Sequence, residues 1–386
     1  MGTTYYFLPT RNLFGEDSVK ETGSLMQSLG GKKTLIVTDA FLAKQGMARM
    51  VQDILKDSGV ESVVFGGVEP NPKDVNVEAG LKVFRENGCD SIISLGGGSS
   101  HDCAKGIGIV ASNGGNIRDY EGVDKSQKPM CPMVAINTTA GTASEITRFC
   151  IITDTSRHVK MAIVDWRVTP QIAINDPKLM VGMPPSLTAA TGMDALTHAV
   201  EAYIGGSTTR ETRKMAEKAV YLVHQYLKRA YDNGHDKEAR KGMLKAAYYA
   251  GVAFTKSYVG YVHAVAHSLG GQYGTPHGLA NAVILPVVLR MYGAACEKRL
   301  GRLARRTGVV EKHLSDHEAS RQFIDWIQEM NDAMEIPRTL TEIREQDIPV
   351  MAKHADKEGN PLYPVPMLMN RKELENIYKK VKGQET

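Results

Sequence analysis

The stretch Ser91–Ala111, SIISLGGGSSHDCAKGIGIVA, carries the clearest structural pattern in the first half of the chain. It begins with an apolar run typical of a buried strand, passes through three glycines and two serines, and continues as a helix. Glycines let the backbone approach a diphosphate closely, and the N–H groups at a helix N-terminus suit an anion. The stretch therefore predicts a strand–loop–helix unit, with two interpretations of its loop open: phosphate binding or a tight turn.

This loop departs from the common nucleotide-binding fingerprints. Gly96 and Gly98 satisfy G-x-G, but His101 stands where the third glycine belongs, and no Gly-Lys-Ser/Thr follows. Asp39 ends an earlier apolar run. A carboxylate there either accepts hydrogen bonds from ribose hydroxyls, which favours NAD over NADP, or caps the next helix. Both roles remain open on local grounds.

Similar β-rich runs and amphipathic segments surround this unit. The runs are residues 34–40, 62–68, 133–139 and 171–177, and the helical segments are residues 46–59 and 75–88, each ending in Gly. Apolar strands joined by helices indicate a parallel sheet covered on both faces. After about residue 185 only helical spacing remains. We predict an α/β domain at residues 1–184 and an all-helical domain at 185–386, with cofactor and substrate expected in a cleft between them.

Composition narrows the class of protein. Among 386 residues, 47 Lys and Arg face 43 Asp and Glu, and the run EKRLGRLARR (Glu297–Arg306) is interpreted as a solvated helix face, so no nucleic-acid partner is expected. Five cysteines without a C-x-x-C pair fit a reducing cytoplasm. No apolar run approaches the roughly 18 residues of a membrane span, so no membrane partner is expected.

Aspartate and histidine recur at helical spacing in the second half. GMDALTHAVEAY places Asp194 and His198 on one helix face, and YVHAVAHSLGGQYGTPHG adds His263, His267 and His277. By spacing alone, His263 and His267 form the natural pair, as in helical H-x-x-x-H zinc sites. Any single histidine could instead be a satisfied core residue. Together the five candidates predict a site for a divalent metal.

Four segments resemble the signatures of the iron-containing (group III) alcohol dehydrogenase family. They are GGGSSHDCAKGIGI, NTTAGTASEITRFCIITD, AATGMDALTHAVEAY and GYVHAVAHSLGGQYGTPHGLANAVILP. The similarity is greatest to members that act on ethanol, 1,2-propanediol or 1,3-propanediol. It implies a dehydroquinate synthase-like architecture, with an α/β N-terminal nucleotide-binding domain and an all-α C-terminal metal-binding domain, and at least a dimer.

The same resemblance assigns roles to individual residues. The implied metal ligands are Asp194, His198, His263 and His277, while His267 lies beside the nicotinamide and takes part in proton release. The implied contacts to the cofactor NAD are Asp39, Asn71, Gly97, Gly98, Ser99, Thr138, Thr139, Thr142, Lys160 and Leu179. Phe149 and Phe254 are expected to line the substrate approach. The metal is expected to be Fe(II), although Zn, Mn, Co or Ni suits the same nitrogen and oxygen ligands.

The expected activity is the NAD(H)-dependent interconversion of a small primary alcohol or diol with its aldehyde, with hydride passing between a metal-bound alkoxide and the nicotinamide. Ser100 replaces a proline common in the family, which should leave the loop working. Arg148–Phe149 and NPLYPVPMLMNRKEL (residues 360–374) differ from the diol and methanol branches, so the substrate is predicted only as a class.

Two other functions compete with this one. A dehydroquinate synthase-like lyase or cyclase also uses NAD and a divalent metal, but it needs Lys and Arg clusters for an acidic substrate. A metal-only hydrolase needs neither Asp39 nor the glycine loop.

Overall fold

The computed structural model describes residues 10–382, which group into two compact units. The first unit comprises residues 10–138, 144–157 and 161–179, and the second comprises residues 139–143, 158–160 and 180–382. The domain boundary expected between residues 184 and 185 stays a prediction.

The described residues contain nine strands and fourteen α-helices. The strands are β1 (Arg11–Phe14), β2 (Lys33–Asp39), β3 (Glu61–Val68), β4 (Ser91–Gly96), β5 (Gly122–Val123), β6 (Met133–Asn137), β7 (Phe149–Asp154), β8 (Val159–Val164) and β9 (Ile172–Asn175). The helices are α1 (Thr22–Ser28), α2 (Ala40–Lys44), α3 (Met47–Asp57), α4 (Asp74–Glu86), α5 (Gly98–Asn113), α6 (Pro185–Ile204), α7 (Arg210–Asp232), α8 (Lys237–Ser257), α9 (Tyr261–Tyr273), α10 (His277–Tyr292), α11 (Ala294–Thr307), α12 (Asp316–Ala333), α13 (Ile348–Gly359) and α14 (Arg371–Val381).

A six-stranded parallel sheet forms the centre of the first unit, in the order β1-β9-β6-β4-β2-β3. Alternate side chains of one strand enter different cores: Leu35 and Val37 pack in one apolar cluster, and Ile36 packs in the other. Such alternation requires covering layers on both faces, which α4 and α5 supply on one side and α1 and α3 on the other. The predicted parallel α/β architecture is confirmed.

Glycines end the two predicted amphipathic helices as expected. Gly59 follows α3 with φ 74°, and Gly88 follows α4 with φ 63°. This left-handed conformation costs glycine little and allows each helix to stop.

A small three-stranded sheet, β5-β8-β7, has no counterpart among the predicted strands. Its strands are short or half-buried: β5 has only two residues, and β7 alternates partly buried and buried positions. The edge strand β1 was likewise not predicted. Short edge strands lack the continuous apolar run that identifies a central parallel strand.

The second unit is built from helices α6 to α14, which confirms the predicted all-helical character. Helix α6 is buried almost continuously from Thr188 to Ile204 and contacts α7, α8 and α10. A helix that is apolar around its whole circumference belongs in a core. Polar side chains on α6 are therefore surrounded by protein.

Among residues 10–382, no single helix combines the length and apolar character of a membrane span. Helices α10 and α11 meet that criterion only when taken together across a 120° bend.

Candidate metal centre

Three helices of the second unit bring one carboxylate and three imidazoles together. Asp194 and His198 lie one turn apart on α6, His263 lies on α9, and His277 is the first residue of α10. The turn between α9 and α10 passes through Gly274 at φ 73° and then Pro276. This reversal returns His277 to His263, with ring centroids 5.3 Å apart.

The separations within this group suit one metal ion. The Oδ1 atom of Asp194 lies 3.8 Å from His198 Nδ1, 3.9 Å from His263 Nε2 and 3.5 Å from His277 Nε2. One ligand atom from each residue can be chosen so that all lie within 4.8 Å of one another. Donors about 2.1 Å from a tetrahedral ion are about 3.4 Å apart, so a small contraction is enough.

The electrostatics of the group also favour a cation. Asp194 is 1% exposed, and burial raises the pKa of its carboxyl group. Burial lowers the pKa of His198 and His277 well below the usual value, so both imidazoles are neutral and keep a lone pair for a ligand bond. Burial alone would lower the pKa of His263, but the neighbouring carboxylates of Glu201 and Asp194 outweigh burial and raise it. A buried carboxylate needs a positive partner, and a divalent ion in place of the His263 proton fits that need.

Asn281 reveals how incompletely the chain satisfies this group. Its Nδ2 atom lies 2.8 Å from Asp194 Oδ1, 3.3 Å from His263 Nε2 and 3.2 Å from His277 Nε2. An amide nitrogen carries only two hydrogens, so three acceptors compete for two donors. Within residues 10–382, the Oδ1 atom of Asn281 and the Nδ1 atoms of His198 and His277 have no hydrogen-bond partner.

Glu201 orients one of the candidate ligands. Its Oε2 atom accepts a hydrogen bond from His263 Nδ1 at 2.6 Å, and its Oε1 atom accepts one from the Val262 backbone N–H at 2.8 Å. Because Nδ1 carries the proton, Nε2 of His263 faces Asp194 with its lone pair available. Carboxylate–histidine pairs of this kind fix ring orientation at metal sites. The sequence contained a signal for Glu201, because it follows His198 by three residues on the same helix face.

His267 lies beside the metal group but outside it. Its ring stacks on His277 with centroids 5.1 Å apart, and its Nδ1 atom donates to Glu358 Oε1 at 2.7 Å. Tyr363 donates its hydroxyl to the same oxygen at 2.6 Å. The helix spacing that favours joint ligation by His263 and His267 is therefore not used in this arrangement. Glu358 and Tyr363 come from α13 and the segment after it, and no sequence pattern pointed to them.

Four other predicted site residues belong to the second unit: Phe254, Lys160, Thr139 and Thr142. Phe254 stacks flat on His198, with ring centroids 4.2 Å apart and an interplanar angle of 14°. Lys160 lies against α9 so closely that a Cβ atom on Gly270 would come 2.6 Å from its Cε atom. Thr139 and Thr142 belong to the short segment 139–143 of this unit.

The first unit contains the other predicted cofactor residues. Gly97 is the N-cap of α5, Gly98 and Ser99 form its first turn, and no side chain caps this end. Gly96 has φ 153°, and a Cβ atom there would lie 2.3 Å from Ser100 Oγ, so the tight strand-to-helix turn requires glycine. The open N–H groups of the 16-residue helix α5 remain suited to a diphosphate.

Further predicted residues occupy separate positions in this unit. Asp39 accepts a hydrogen bond from Leu42 N at 2.8 Å, so the helix-capping role is present. Asn71 has φ 52°, Thr138 donates its backbone N–H to Gly96 O at 2.9 Å, and Leu179 is 7% exposed. Phe149 is the first residue of β7.

Two family descriptions match the chain. Residues 9–177 match "Iron-containing alcohol dehydrogenase", and residues 188–382 match "Fe-containing alcohol dehydrogenase family, C-terminal".

Relatives of established name cover nearly the whole chain. Alcohol dehydrogenase 4 of Schizosaccharomyces pombe is 46% identical over 371 residues, covering 94% of this chain and 87% of its own. NAD-dependent methanol dehydrogenase of Bacillus methanolicus is 43% identical over 354 residues, covering 91% and 92%. The crystal structure of a 1,3-propanediol oxidoreductase superposes with a TM-score of 0.93 at 44% identity, covering 98% of this chain and 100% of that one.

Proposed function

Because the chain belongs to the iron-containing alcohol dehydrogenase family, we propose that it interconverts small primary alcohols or diols with their aldehydes, using NAD as the hydride carrier. It is a metal-dependent NAD(H) oxidoreductase. The comparisons lend no support to the lyase or cyclase alternative.

One observation carries the proposal: the buried group of Asp194, His198, His263 and His277 has ligand atoms within 4.8 Å of one another. Three imidazoles and one carboxylate would hold the ion. A divalent metal bound there acts as a Lewis acid, stabilising negative charge on an alcohol or aldehyde oxygen. The absence of a thiolate suits Fe(II), and it is compatible with Zn, Mn, Co or Ni.

Protein side chains shape the space beside this group. Phe254 covers one face of His198 and is 6% exposed, so it presents an apolar surface next to the ligands. An apolar wall accommodates the carbon chain of a small alcohol and excludes water from the reacting carbon. We therefore assign Phe254 to the substrate wall, and Phe149 is proposed for the same role on the basis of the family resemblance.

His267 is proposed to move the hydroxyl proton. Glu358 accepts the Nδ1 proton of His267, so the Nε2 atom is the ring nitrogen left to exchange a proton. Tyr363 donates to the same carboxylate oxygen and helps to hold it in place. In this arrangement Glu358 and Tyr363 are positioning residues that act through His267.

The coenzyme is proposed to place its diphosphate on Gly97, Gly98 and Ser99, where no side chain caps the N-terminus of α5. Only one oxygen of Asp39 has a described hydrogen bond, at the N-cap of α2. Its other oxygen is proposed to accept from the adenosine ribose, which disfavours NADP. The further coenzyme contacts carried by the family resemblance are Asn71, Thr138, Thr139, Thr142, Lys160 and Leu179.

Cellular context belongs to the same proposal. A cytoplasmic location fits the five cysteines, none of which is disulfide-bonded. Family resemblance supports at least a dimer, and no nucleic-acid or membrane partner is proposed.

The deciding experiment measures NADH absorbance on protein reconstituted with Fe, Zn or Mn. The substrates are methanol, ethanol, butanol, 1,2-propanediol, 1,3-propanediol and the matching aldehydes, each tested with NAD and NADP. We expect NADH formation from alcohols, NADH oxidation by aldehydes, and a clear preference for NAD. Protein that binds metal and NAD but transfers no hydride in either direction would refute the proposal. Strict use of NADP would remove only the role given to Asp39.

A further inference from the structure

A cavity with a strongly basic lining lies in the second unit, where the end of α6, the start of α7 and helix α11 meet. Its volume is about 270 Å³. The lining residues are Tyr203, Arg210, Arg213, Lys214, Glu217, Arg302 and Arg306. Five of these seven carry a positive charge and one carries a negative charge.

The single carboxylate is already occupied. Glu217 Oε1 accepts hydrogen bonds from Tyr203 Oη at 3.1 Å and from Arg306 Nη1 at 3.1 Å. Tyr203 is 1% exposed, so it forms a rigid wall of the cavity. Within residues 10–382, no carboxylate lies within ion-pair distance of the other four cations, which are Arg210, Arg213, Lys214 and Arg302.

The position of these cations on α7 is unfavourable for the helix. Arg210, Arg213 and Lys214 fall within the first five residues of a 23-residue helix, where the helix dipole is positive. Cations near a helix N-terminus are destabilising, whereas anions there are stabilising. Glu211 and the capping box formed by Thr209 and Thr212 offset part of this effect. A bound anion would offset more of it.

The run EKRLGRLARR (Glu297–Arg306) supplies the other two cations of the lining, Arg302 and Arg306. Arg299 donates to the carbonyls of Ile204 and Gly205, each at 2.6 Å, and thereby ties α11 to the end of α6. Arg305 forms an ion pair with Asp316. Arg302 is the arginine between them, and it lines the cavity without such a partner. Arg302 is exposed, so the predicted solvated face of this run borders the cavity at this position.

We propose that this cavity binds a small anion carrying a phosphoryl group, either inorganic phosphate or a phosphomonoester. Guanidinium groups present paired N–H donors that match phosphate oxygens, and three guanidiniums beside an ammonium can surround a dianion. Glu217, the one carboxylate of the lining, is engaged by Tyr203 and Arg306. The site is separate from the metal group and does not depend on the proposed reaction.

The test uses the metal-loaded, NAD-saturated protein, so that the coenzyme loop is already filled. Phosphate, glycerol 3-phosphate and succinate are titrated separately by calorimetry at constant ionic strength. R210Q/R302Q removes one cation from each side of the cavity. R321Q/R371Q is the matched control, because Arg371 also begins a helix, Arg321 lies inside another, and both are exposed.

We expect one phosphate or glycerol 3-phosphate per chain, with succinate weaker. The affinity should fall at least about tenfold in R210Q/R302Q, since a charge-assisted hydrogen bond contributes about that much, and it should stay within about twofold in R321Q/R371Q. Equal losses in both variants would indicate bulk charge, and unchanged binding in R210Q/R302Q would place the anion elsewhere. A change of oligomeric state in R210Q/R302Q without any phosphate binding to the wild type would assign the cavity to a second copy of the chain. Each of these three results would overturn the proposal.

Discussion

Two buried ionisable groups, Lys105 in the first unit and Asp194 in the second, are nearly inaccessible to solvent but differ in how the chain surrounds them. Lys105 is 0% exposed and places Nζ 2.6 Å from Ser144 O, 2.9 Å from Ser144 Oγ, 3.0 Å from Thr147 O and 2.7 Å from Phe149 O. Asp194 shares one amide with two histidines. The three donors of the ammonium are fully used, whereas the polar atoms around Asp194 are not.

The difference distinguishes a buried charge that stabilises the fold from a buried charge that forms part of a binding site. A charge saturated by its own chain has no capacity left for a ligand and contributes through the stability of the fold. A buried carboxylate whose neighbouring polar atoms lack hydrogen-bond partners destabilises the fold, and a bound cation removes that destabilisation. Burial and a shifted pKa are typical of functional residues and occur in both groups, so these two properties alone do not distinguish them. The following predictions test this contrast, starting with the largest effect.

Removing a candidate ligand should abolish activity with little loss of fold. For His263→Ala we expect metal content to fall below a tenth of the wild-type value. Activity, measured as kcat/KM, should fall by about three orders of magnitude, because Lewis-acid stabilisation contributes several kcal/mol. Elemental analysis, steady-state kinetics and circular dichroism measure the three quantities. His313→Ala, at an exposed histidine, is the control. Full metal content in His263→Ala would contradict the ligand assignment.

Removing the saturated cation should do the opposite. Lys105→Met removes the hydrogen bonds that the ammonium donates to Ser144, Thr147 and Phe149, so the free energy of unfolding should drop by about 3–5 kcal/mol. Metal content per folded molecule should remain normal. Guanidinium unfolding followed by circular dichroism gives the stability, with the exposed Lys82→Met as control. If Lys105→Met lost metal and kept its stability, the contrast between the two groups would collapse.

Glu201 should affect the metal and not the fold. The two donors to Glu201 meet different oxygens, and glutamine keeps only one of these positions as an acceptor, so Glu201→Gln loses the hydrogen bond to His263 Nδ1 or to Val262 N. We expect metal affinity to fall by about 10–100-fold, as for other partners of metal-bound histidines. Competition with a chelator measures this affinity, and Glu329→Gln is an exposed control. Unchanged affinity would show that the backbone alone orients His263.

Glu358 should affect turnover and not metal binding. Glu358→Ala leaves His267 Nδ1 without its acceptor, and we expect kcat to fall about tenfold with a changed pH profile, at the lower end of effects on proton transfer. Glu358→Gln keeps an oxygen that can accept from both His267 and Tyr363, so it should recover part of the activity. Metal content distinguishes this effect from damage to the ligand group. Wild-type kcat and pH dependence in Glu358→Ala would exclude the positioning role.

The smallest effect concerns a second saturated group of the first unit. Burial would raise the pKa of Asp154, but hydrogen bonds from Ser156 and Arg157 outweigh it and hold the pKa well below its usual range. The resulting stability is present above the unfolded-state pKa near 3.8 and is lost as the pH falls below it. In urea titrations, Asp154→Asn should be less stable than the wild type at pH 6, and the gap should narrow towards about pH 3. A gap independent of pH would show that ionisation of Asp154 is not involved.

Sequence patterns predicted the elements whose apolar or polar residues recur at regular spacing. The central parallel strands have continuous apolar runs, and Asp194 with His198 shares a helix face, so both follow from periodicity. Helix spacing favoured His263 with His267 among the five candidates, and only the family resemblance chose His277 in place of His267. The direction of the chain after Gly274 decides which histidine reaches the group, and local spacing does not encode it.

The acidic partners of His263 and His267 were not assigned from the sequence, although Glu201 shares a helix face with His198. Glu201 lies 62 residues before His263, and Glu358 lies 91 residues after His267. A single carboxylate at such a separation resembles any solvated residue of its helix. Only tertiary packing shows which of the 43 acidic residues meets a histidine.

The distribution of the metal group over α6, α9 and α10 also sets an order of events during biosynthesis. Asn281 is 87 residues from Asp194, so the last parts of the group leave the ribosome long after the first. No early fragment of the chain can assemble the complete donor set. The complete donor set therefore exists only once these helices have been made and docked, so binding of the ion is coupled to the late steps of folding.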